Sequence, residues 1–195
     1  MKHKYIWINY EKDQYLNSVD FDEPVNIKGY YRNSSKVNNA LMALLATEWK
    51  HSKIALISDS WDEDKEQAII SDLRNRCDNV LYLNNLWLSA IDEYENMRYK
   101  FDKEFIVDDI CFYTYVINHT KKEYYRRKSN RDRNNWFSPI SFLMISGNGY
   151  YGGKYGYWLN DDVEASNNID NLIKEGYANK TPLYTYSYFI GCSEK

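Results

Sequence analysis

The strongest constraint on this chain is a short residue pattern that occurs twice, 109 positions apart. The matching residues are Ile8, Asn9, Lys12 and Tyr15 in the first half, and Ile117, Asn118, Lys121 and Tyr124 in the second. Trp49 and Trp158 stand at the same separation, and residues 80–82 resemble residues 182–184 at an offset of 102. Three blocks in the same order indicate that the chain contains two diverged copies of one structural module.

Each copy is predicted to begin with a β-hairpin. Residues 5–9 have a strand pattern and residues 11–13 have turn chemistry, so residues 14–16 can return as a second strand. An asparagine at the end of a strand bonds its own backbone and tolerates left-handed conformations. We therefore interpret Asn9 and Asn118 as turn-forming residues rather than ligand-binding residues.

The remaining elements follow from hydrophobic spacing and turn residues. Ser35 can cap a helix that runs over residues 36–49, after a loop over residues 29–35. Further helices are predicted over residues 61–76, 86–100 and 166–175. Strands are predicted over residues 54–57, 80–83, 105–107, 111–117, 142–146 and 183–190. The predicted fold class is α+β (mixed α/β), with two tandem β-hairpin/helix/strand modules, residues 1–109 and 110–195, packed together as one unit.

The second hairpin and the residues after it also resemble a known sequence pattern. The segment from Val116 to Tyr124 contains Asn-x-x-Lys-x-Glu-Tyr, a Gly-rich loop follows at residues 147–153, and Trp158 begins the segment Trp-Leu-Asn-Asp-Asp-Val. This order resembles a family of uncharacterised proteins in bacteria and eukaryotes, in which the hairpin and the loop precede a Trp-x-Gly-Asp-x-Ile strand. This chain lacks the Gly-Asp pair of that strand. The resemblance implies a similar fold and no known activity.

Positive charge is concentrated in one segment of the second half. The net charge of −3 divides into −6 over residues 1–110 and +3 over residues 111–195, and residues 121–133 carry seven basic and two acidic side chains. Basic side chains with nearby aromatic rings can neutralise phosphates and stack on bases, or they can meet an acidic protein partner. The alternative is a solvated loop without a ligand. The candidate binding residues are Lys121, Lys122, Arg126, Arg127, Arg131 and Trp136.

A glycine-rich segment supplies a second candidate binding site. Residues 147–152 read Gly-x-Gly-x-x-Gly after a predicted strand, but a dinucleotide site also needs a helix that begins at the third glycine. Residues 153–158 make a poor helix start, so a Gly-rich turn is favoured, and contact with a phosphorylated ligand by another geometry stays open. The candidate contact residues are Gly147, Gly149, Tyr150, Tyr151 and Lys154.

No sequence pattern indicates catalysis, a metal or a cofactor. The cysteines, Cys77, Cys111 and Cys192, are an odd count without a Cys-x-x-Cys spacing, so we expect free thiols rather than a disulfide framework or a zinc site. The three histidines are His3, His51 and His119. None forms a nucleophilic pattern with its sequence neighbours, and His119 is expected to be exposed in a turn. The acidic residues between positions 59 and 66 favour the start of a helix and face water.

These features favour a non-enzymatic protein-interaction module in the cytoplasm. No apolar run approaches the roughly 20 residues that a membrane span needs, and the N-terminal apolar segment is expected to be too short for a signal peptide. A small, acidic, tyrosine-rich chain of this kind resembles bacterial or phage immunity and inhibitor (anti-defence) proteins. The alternative is a binder of a nucleotide or another phosphorylated ligand through the Gly/Tyr loop and the adjacent basic segment. A protein partner is therefore expected first, and a nucleotide or nucleic acid second.

Overall fold

The computed structural model describes seven stretches of the chain. These are residues 4–24, 26–32, 35–59, 94–101, 113–127, 137–145 and 155–190. The helix predicted over residues 61–76, the strands predicted over residues 80–83 and 105–107, and all three cysteines lie outside these described residues. No helix within the seven stretches is long and apolar enough to cross a membrane.

The first half forms a four-stranded sheet. Its strands are β1 (Tyr5–Asn9), β2 (Gln14–Leu16), β3 (Ile54–Ser58) and β4 (Glu95–Asn96), in the order β3-β1-β2-β4. β1 and β2 form the predicted antiparallel hairpin, β3 joins β1 in antiparallel orientation, and β4 joins β2 in parallel. Every residue of β3 is buried, which explains why its sequence is an almost continuous apolar run.

The second half repeats this sheet. Its strands are β5 (Tyr115–Asn118), β6 (Glu123–Arg126), β7 (Val163–Ser166) and β8 (Ala178–Asn179), in the order β7-β5-β6-β8. Trp7 pairs with Leu56 in the first sheet, and Val116 pairs with Ala165 in the second. The offset of 109 therefore holds across the hairpin and the third strand of each copy. The predicted α+β fold with two similar modules is confirmed.

The two copies differ in length after the third strand. Residues 59–94 connect β3 to β4, whereas residues 167–177 connect β7 to β8. β4 begins at residue 95 and β8 at residue 178, an offset of 83. The offset of 102 between residues 80–82 and 182–184 stays a prediction, because residues 80–82 lie outside the described residues.

The hairpin turns confirm the role predicted for the two asparagines. The Oδ1 atom of Asn9 accepts two backbone N–H groups of its turn at 3.1 and 3.2 Å, and the Oδ1 atom of Asn118 accepts one at 2.8 Å. Both side chains are buried, so these bonds satisfy an oxygen that would be unfavourable to bury alone. The turns also end alike, since Asp13 and Lys122 have positive φ angles of 53° and 52°.

Two helices connect β2 to β3, the short α1 (Ile27–Tyr30) and the longer α2 (Lys36–Ala46). The Ser35 side chain accepts a hydrogen bond from the backbone N–H of Asn38 at 3.2 Å, which confirms the predicted cap of α2. α2 buries its apolar face and ends three residues earlier than predicted. α1 occupies part of the stretch predicted as a loop, so that prediction is wrong at residues 29–30.

The described residues of the second half form three further helices: α3 (Ile140–Leu143), α4 (Asp170–Lys174) and α5 (Tyr186–Ile190). α4 lies within the helix predicted over residues 166–175. The strand predicted over residues 142–146 is wrong where the structure describes it, because α3 includes residues 142–143. The strand predicted over residues 183–190 is wrong because α5 occupies residues 186–190. The rings of Phe142 and Phe189 stack with their centroids 5.5 Å apart, and such tertiary packing outweighs the strand preference of aromatic residues.

The helix predicted over residues 86–100 is also wrong where the structure describes it. Residues 95–96 form β4, and residues 97–100 form a 3-10 turn. The side chain of Asn96 caps this turn by accepting the backbone N–H of Arg98 at 2.9 Å. Pairing of β4 with β2 overrides the local helical pattern here.

The two halves share an apolar core and cover each other's open sheet edges. The fully buried tryptophans of one apolar cluster come from both halves and are Trp7, Trp49 and Trp158. On the outer side of β3, Leu56 forms a parallel bridge with Ile145, and on the outer side of β7, Val163 forms an antiparallel bridge with Ser52. This coverage satisfies backbone groups that an edge strand would leave unpaired. It also holds the turn after α2 against β7.

Candidate metal site

The basic segment predicted as a binding site is not one exposed surface. Its exposed members in the described stretches are Lys122 and Arg126. Lys121 forms an ion pair with Asp161, with 2.7 Å between Nζ and Oδ2. Arg127 is only 4% exposed, and its Nη2 donates to Asn39 of α2 at 3.2 Å. The expectation that the segment lies in solvent is wrong at Arg127, because its guanidinium packs between the two halves.

The other predicted binding residues lie outside the described residues. They are Arg131 and Trp136 of the basic segment, and Gly147, Gly149, Tyr150, Tyr151 and Lys154 of the Gly/Tyr loop. Their role in binding stays a prediction.

A different group of side chains comes together on the second sheet. Ile117 of β5 pairs with Glu164 of β7. His119 follows Ile117 by two residues, and its backbone N–H donates to the carbonyl oxygen of Asp162 at 2.9 Å. Because side chains alternate along a strand, His119, Asp162 and Glu164 lie on one face of this sheet.

The first half contributes His51 to the same place. His51 lies in the turn between α2 and β3 and has a left-handed backbone, with φ of 58°. Its backbone N–H donates to the carbonyl oxygen of Val163 at 3.1 Å, next to the bridge between Ser52 and Val163. This docking on the edge of β7 brings the imidazole over Glu164. His51 reaches the carboxylate only through this contact between the two halves, whereas His119 reaches it within the second sheet.

The three side chains have distances suited to a shared metal ion. The Nε2 atom of His51 lies 3.4 Å from Oε2 of Glu164, and the Nε2 atom of His119 lies 3.6 Å from the same oxygen. The ring centroids of the two histidines are 4.7 Å apart, and the three potential ligand atoms lie within 4.8 Å of one another. Two ligands of a tetrahedral Zn²⁺ ion, at bond lengths of about 2.0–2.1 Å, are separated by about 3.3 Å.

Oxygen atoms hold the outer nitrogen of each imidazole. The Nδ1 atom of His51 lies 3.2 Å from Oδ1 of Asp162, and the Nδ1 atom of His119 lies 3.0 Å from the hydroxyl oxygen of Tyr177. Metal-binding histidines commonly have such a partner, which fixes the ring orientation and the tautomer. A tautomer in which each Nδ1 donates to its oxygen would leave both Nε2 lone pairs available to a metal ion.

Glu164 is suited to bind a cation. It is only 7% exposed, and its Oε2 atom completes no hydrogen bond among the described residues, although Lys50 Nζ lies 3.1 Å away as an ion pair. Burial on its own would raise the pKa of Glu164, but His119 and Lys50 outweigh it and hold the pKa below the ordinary value. The carboxylate is therefore ionised near neutral pH. The Nε2 atom of His119 is likewise buried without a hydrogen bond.

Part of this site could have been found in the sequence. Extending the offset of 109 from β3 predicts a strand at residues 163–166 that pairs with β5, and this pairing brings His119 beside Glu164. His51 approaches from the other half, and no local pattern predicts how the halves dock. Comparisons with protein-family models, with curated proteins and with solved structures found no match for this chain.

The equivalent place in the first half carries different residues. At the offset of 109, the counterparts of Lys50, His51, Glu164 and His119 are Leu159, Asn160, Ala55 and Tyr10. The Tyr10 hydroxyl donates to Asn160, which also has a left-handed backbone with φ of 66°. Leu159 packs against the apolar cluster that contains Ala55. The same junction is thus built once from a neutral pair with apolar packing and once from histidines and charged groups.

Proposed function

We propose that this protein binds a divalent transition metal ion, with Zn²⁺ the best match, through His51, His119 and Glu164. The observation that carries the proposal is the convergence of two Nε2 atoms on one buried carboxylate oxygen. Two imidazoles and a carboxylate form a ligand set that zinc proteins use, and imidazole also suits copper, nickel and iron. Zn²⁺ fits best because it needs four ligands in a tetrahedron, of which three are in place.

The comparison with the first half favours a metal site over a cluster of ion pairs that only stabilises the fold. Tyr10, Asn160 and Ala55 show that this fold can form the junction without histidines or a buried carboxylate. Burying a carboxylate carries a desolvation penalty that its attraction to a partner often fails to repay. A metal ion offsets that penalty far better than the half-exposed Lys50 does. The charged version of the junction is therefore better explained by a ligand than by folding.

The proposal is tested by calorimetric titration of Zn²⁺ into protein that has been freed of metal with a chelator and treated with iodoacetamide to block its cysteines. We expect one ion per chain. Asp162→Asn and Tyr177→Phe, which change the partners of the two Nδ1 atoms, should weaken zinc binding by roughly 10–100-fold. His51→Ala, His119→Ala and Glu164→Gln each remove a proposed ligand and should weaken zinc binding by more than that.

The matched control is Tyr10→Phe, which removes the hydrogen bond of the equivalent junction and should leave zinc binding unchanged. Unaltered zinc affinity in His119→Ala and Glu164→Gln would overturn the proposal. Equal losses in all variants, the Tyr10→Phe control included, would show a general effect on folding instead of ligand removal, and would also count against it.

Protein binding through the basic segment is a second candidate function. It is supported by two exposed basic side chains. Lys122 directly precedes β6, and Arg126 is the last residue of that strand. A non-enzymatic interaction module of the immunity or inhibitor type, placed in the cytoplasm, would use such side chains to steer an acidic partner. Reversal of Lys122 and Arg126 to Glu should then slow association with that partner without changing stability. Binding of a nucleotide by residues 147–154 stays a prediction for a stretch outside the described residues.

A further inference from the structure

The proposed metal site has one coordination position to fill from outside the cluster. A tetrahedral ion bound by His51, His119 and Glu164 has three protein ligands, and a position left in this way takes water or another small ligand. Among the described residues, no fourth histidine, cysteine or acidic side chain joins this cluster. The side chain of His51 is 51% exposed, so the site opens to solvent.

Lys50 lies at the edge of this position. Its Nζ atom is 3.1 Å from Oε2 of Glu164, and its side chain is 47% exposed. A metal ion bound to Oε2 would neutralise the carboxylate and repel the ammonium group from it. The flexible stem of lysine lets the ammonium group move a short way into solvent while it remains close to the metal.

Metal binding would reverse the local charge. With neutral histidines, the charged groups of the site are Glu164, Asp162 and Lys50, which sum to −1. A divalent ion changes this sum to +1. The metal-loaded site therefore attracts anions, whereas the metal-free site repels them, and bound cations of this kind dominate the local electrostatics.

We propose, on the basis of the metal-binding function above, that the metal-loaded protein binds an oxyanion of the carboxylate or phosphate class. One oxygen atom of the anion binds the metal at its open position, and a second oxygen atom pairs with Nζ of Lys50. No covalent bond is made or broken in this step, and a bound water is displaced. In the first half, the counterpart of Lys50 is the apolar Leu159, so the fold itself does not call for an ammonium group here.

The test uses full-length protein loaded with Co²⁺, whose visible absorption reports its coordination. Acetate, inorganic phosphate and tetraglutamate are titrated at constant ionic strength, with chloride as the background salt. We expect a saturable change in the spectrum on addition of the oxyanions. Lys50→Met should keep the Co²⁺ spectrum and weaken oxyanion binding on the order of tenfold. Lys53→Met is the matched control, because Lys53 lies three residues away and should not alter either signal.

The outcomes distinguish the two proposals. Absence of a Co²⁺ spectrum overturns the metal-binding function and this inference with it. A normal Co²⁺ spectrum that no oxyanion changes overturns only this inference. Equal oxyanion affinity in Lys50→Met and the parent protein overturns the pairing with Lys50. Tighter binding of tetraglutamate than of acetate at equal carboxylate concentration supports an acidic protein segment as the source of the anion, and tighter binding of phosphate supports a free anion.

Discussion

The indole N–H of Trp158 donates a hydrogen bond to the buried side chain of Glu123. In the first half, Trp49 donates in the same way to Gln14 at 2.7 Å, so the two bonds are equivalent at the offset of 109. The hydroxyl group of Tyr184 also donates to Glu123, at 2.7 Å. Burial and then the neighbouring Glu123 raise the pKa of Tyr184 above its ordinary value, so this hydroxyl keeps its proton. In each half, therefore, a side chain from the second strand of the hairpin accepts a hydrogen bond from the equivalent tryptophan.

This equivalence predicts which changes the second half tolerates. Glu123→Gln should change the free energy of unfolding by less than about 1 kcal/mol, because glutamine retains the acceptor oxygen and occupies the equivalent position 14. Glu123→Ala should lower it by about 3 kcal/mol, since two buried donors lose their acceptor. Urea denaturation followed by tryptophan fluorescence measures both values. Equal instability of the two variants would show that the negative charge, and not the shared geometry, holds Trp158.

Two neighbouring arginines should respond very differently to charge reversal. Arg127→Glu should lower the free energy of unfolding by about 3 kcal/mol or more, because it places a carboxylate where a buried guanidinium meets Asn39. Arg126→Glu is the control and should stay within about 0.5 kcal/mol, since Arg126 is exposed. Chemical denaturation of both variants provides the measurement. Stability of Arg127→Glu comparable to that of Arg126→Glu would contradict the buried position of Arg127.

The sequence predicted those elements whose pattern is local or repeated. The hairpins, the cap of α2 at Ser35 and the strand that begins at Ile54 follow from turn residues, capping and apolar runs. The strands predicted over residues 142–146 and 183–190 are wrong in their described residues. Aromatic rings far apart in the sequence, such as those of Phe142 and Phe189, stack on each other in the folded chain. Preferences of single residues carry no information about such distant contacts.

The candidate metal site likewise has one part that the sequence could predict and one part that it could not. The neighbourhood of His119 and Glu164 is encoded in the strand repeat, and it could have been derived by aligning β7 with β3. The approach of His51 depends on the bridge between Ser52 and Val163, which joins the two halves. That contact is a property of the packed structure, so His51 could not be assigned to the site from the sequence.

Zinc should stabilise the folded protein by mass action. At a free Zn²⁺ concentration about 100 times the dissociation constant, the free energy of unfolding should rise by about 2.7 kcal/mol, because the ion binds a site that only the folded chain assembles. Addition of EDTA should return the protein to its metal-free stability. Denaturation curves with zinc, without zinc and after EDTA measure this shift. The same zinc-dependent shift in His119→Ala would place the stabilising ion elsewhere in the chain.

The strictest test replaces the site by its counterpart from the first half. The quadruple variant Lys50→Leu, His51→Asn, His119→Tyr and Glu164→Ala installs the residues of the neutral junction at the offset of 109. We expect this variant to fold, because Tyr10 and Asn160 already form that junction on the equivalent sheet. Its free energy of unfolding without metal should equal or exceed that of the parent protein, since replacement of buried charges by well-packed neutral groups is often neutral or stabilising.

The quadruple variant should bind no Zn²⁺ in calorimetric titration and should show no zinc-dependent gain in stability. Circular dichroism and denaturation curves check its fold, and titration of the parent protein on the same day provides the reference. A folded quadruple variant that still binds one Zn²⁺ ion per chain would rule out His51, His119 and Glu164 as the ligands. A variant that fails to fold would show that the second half needs the histidines and charged groups for folding. The neutral junction of the first half could then not replace them.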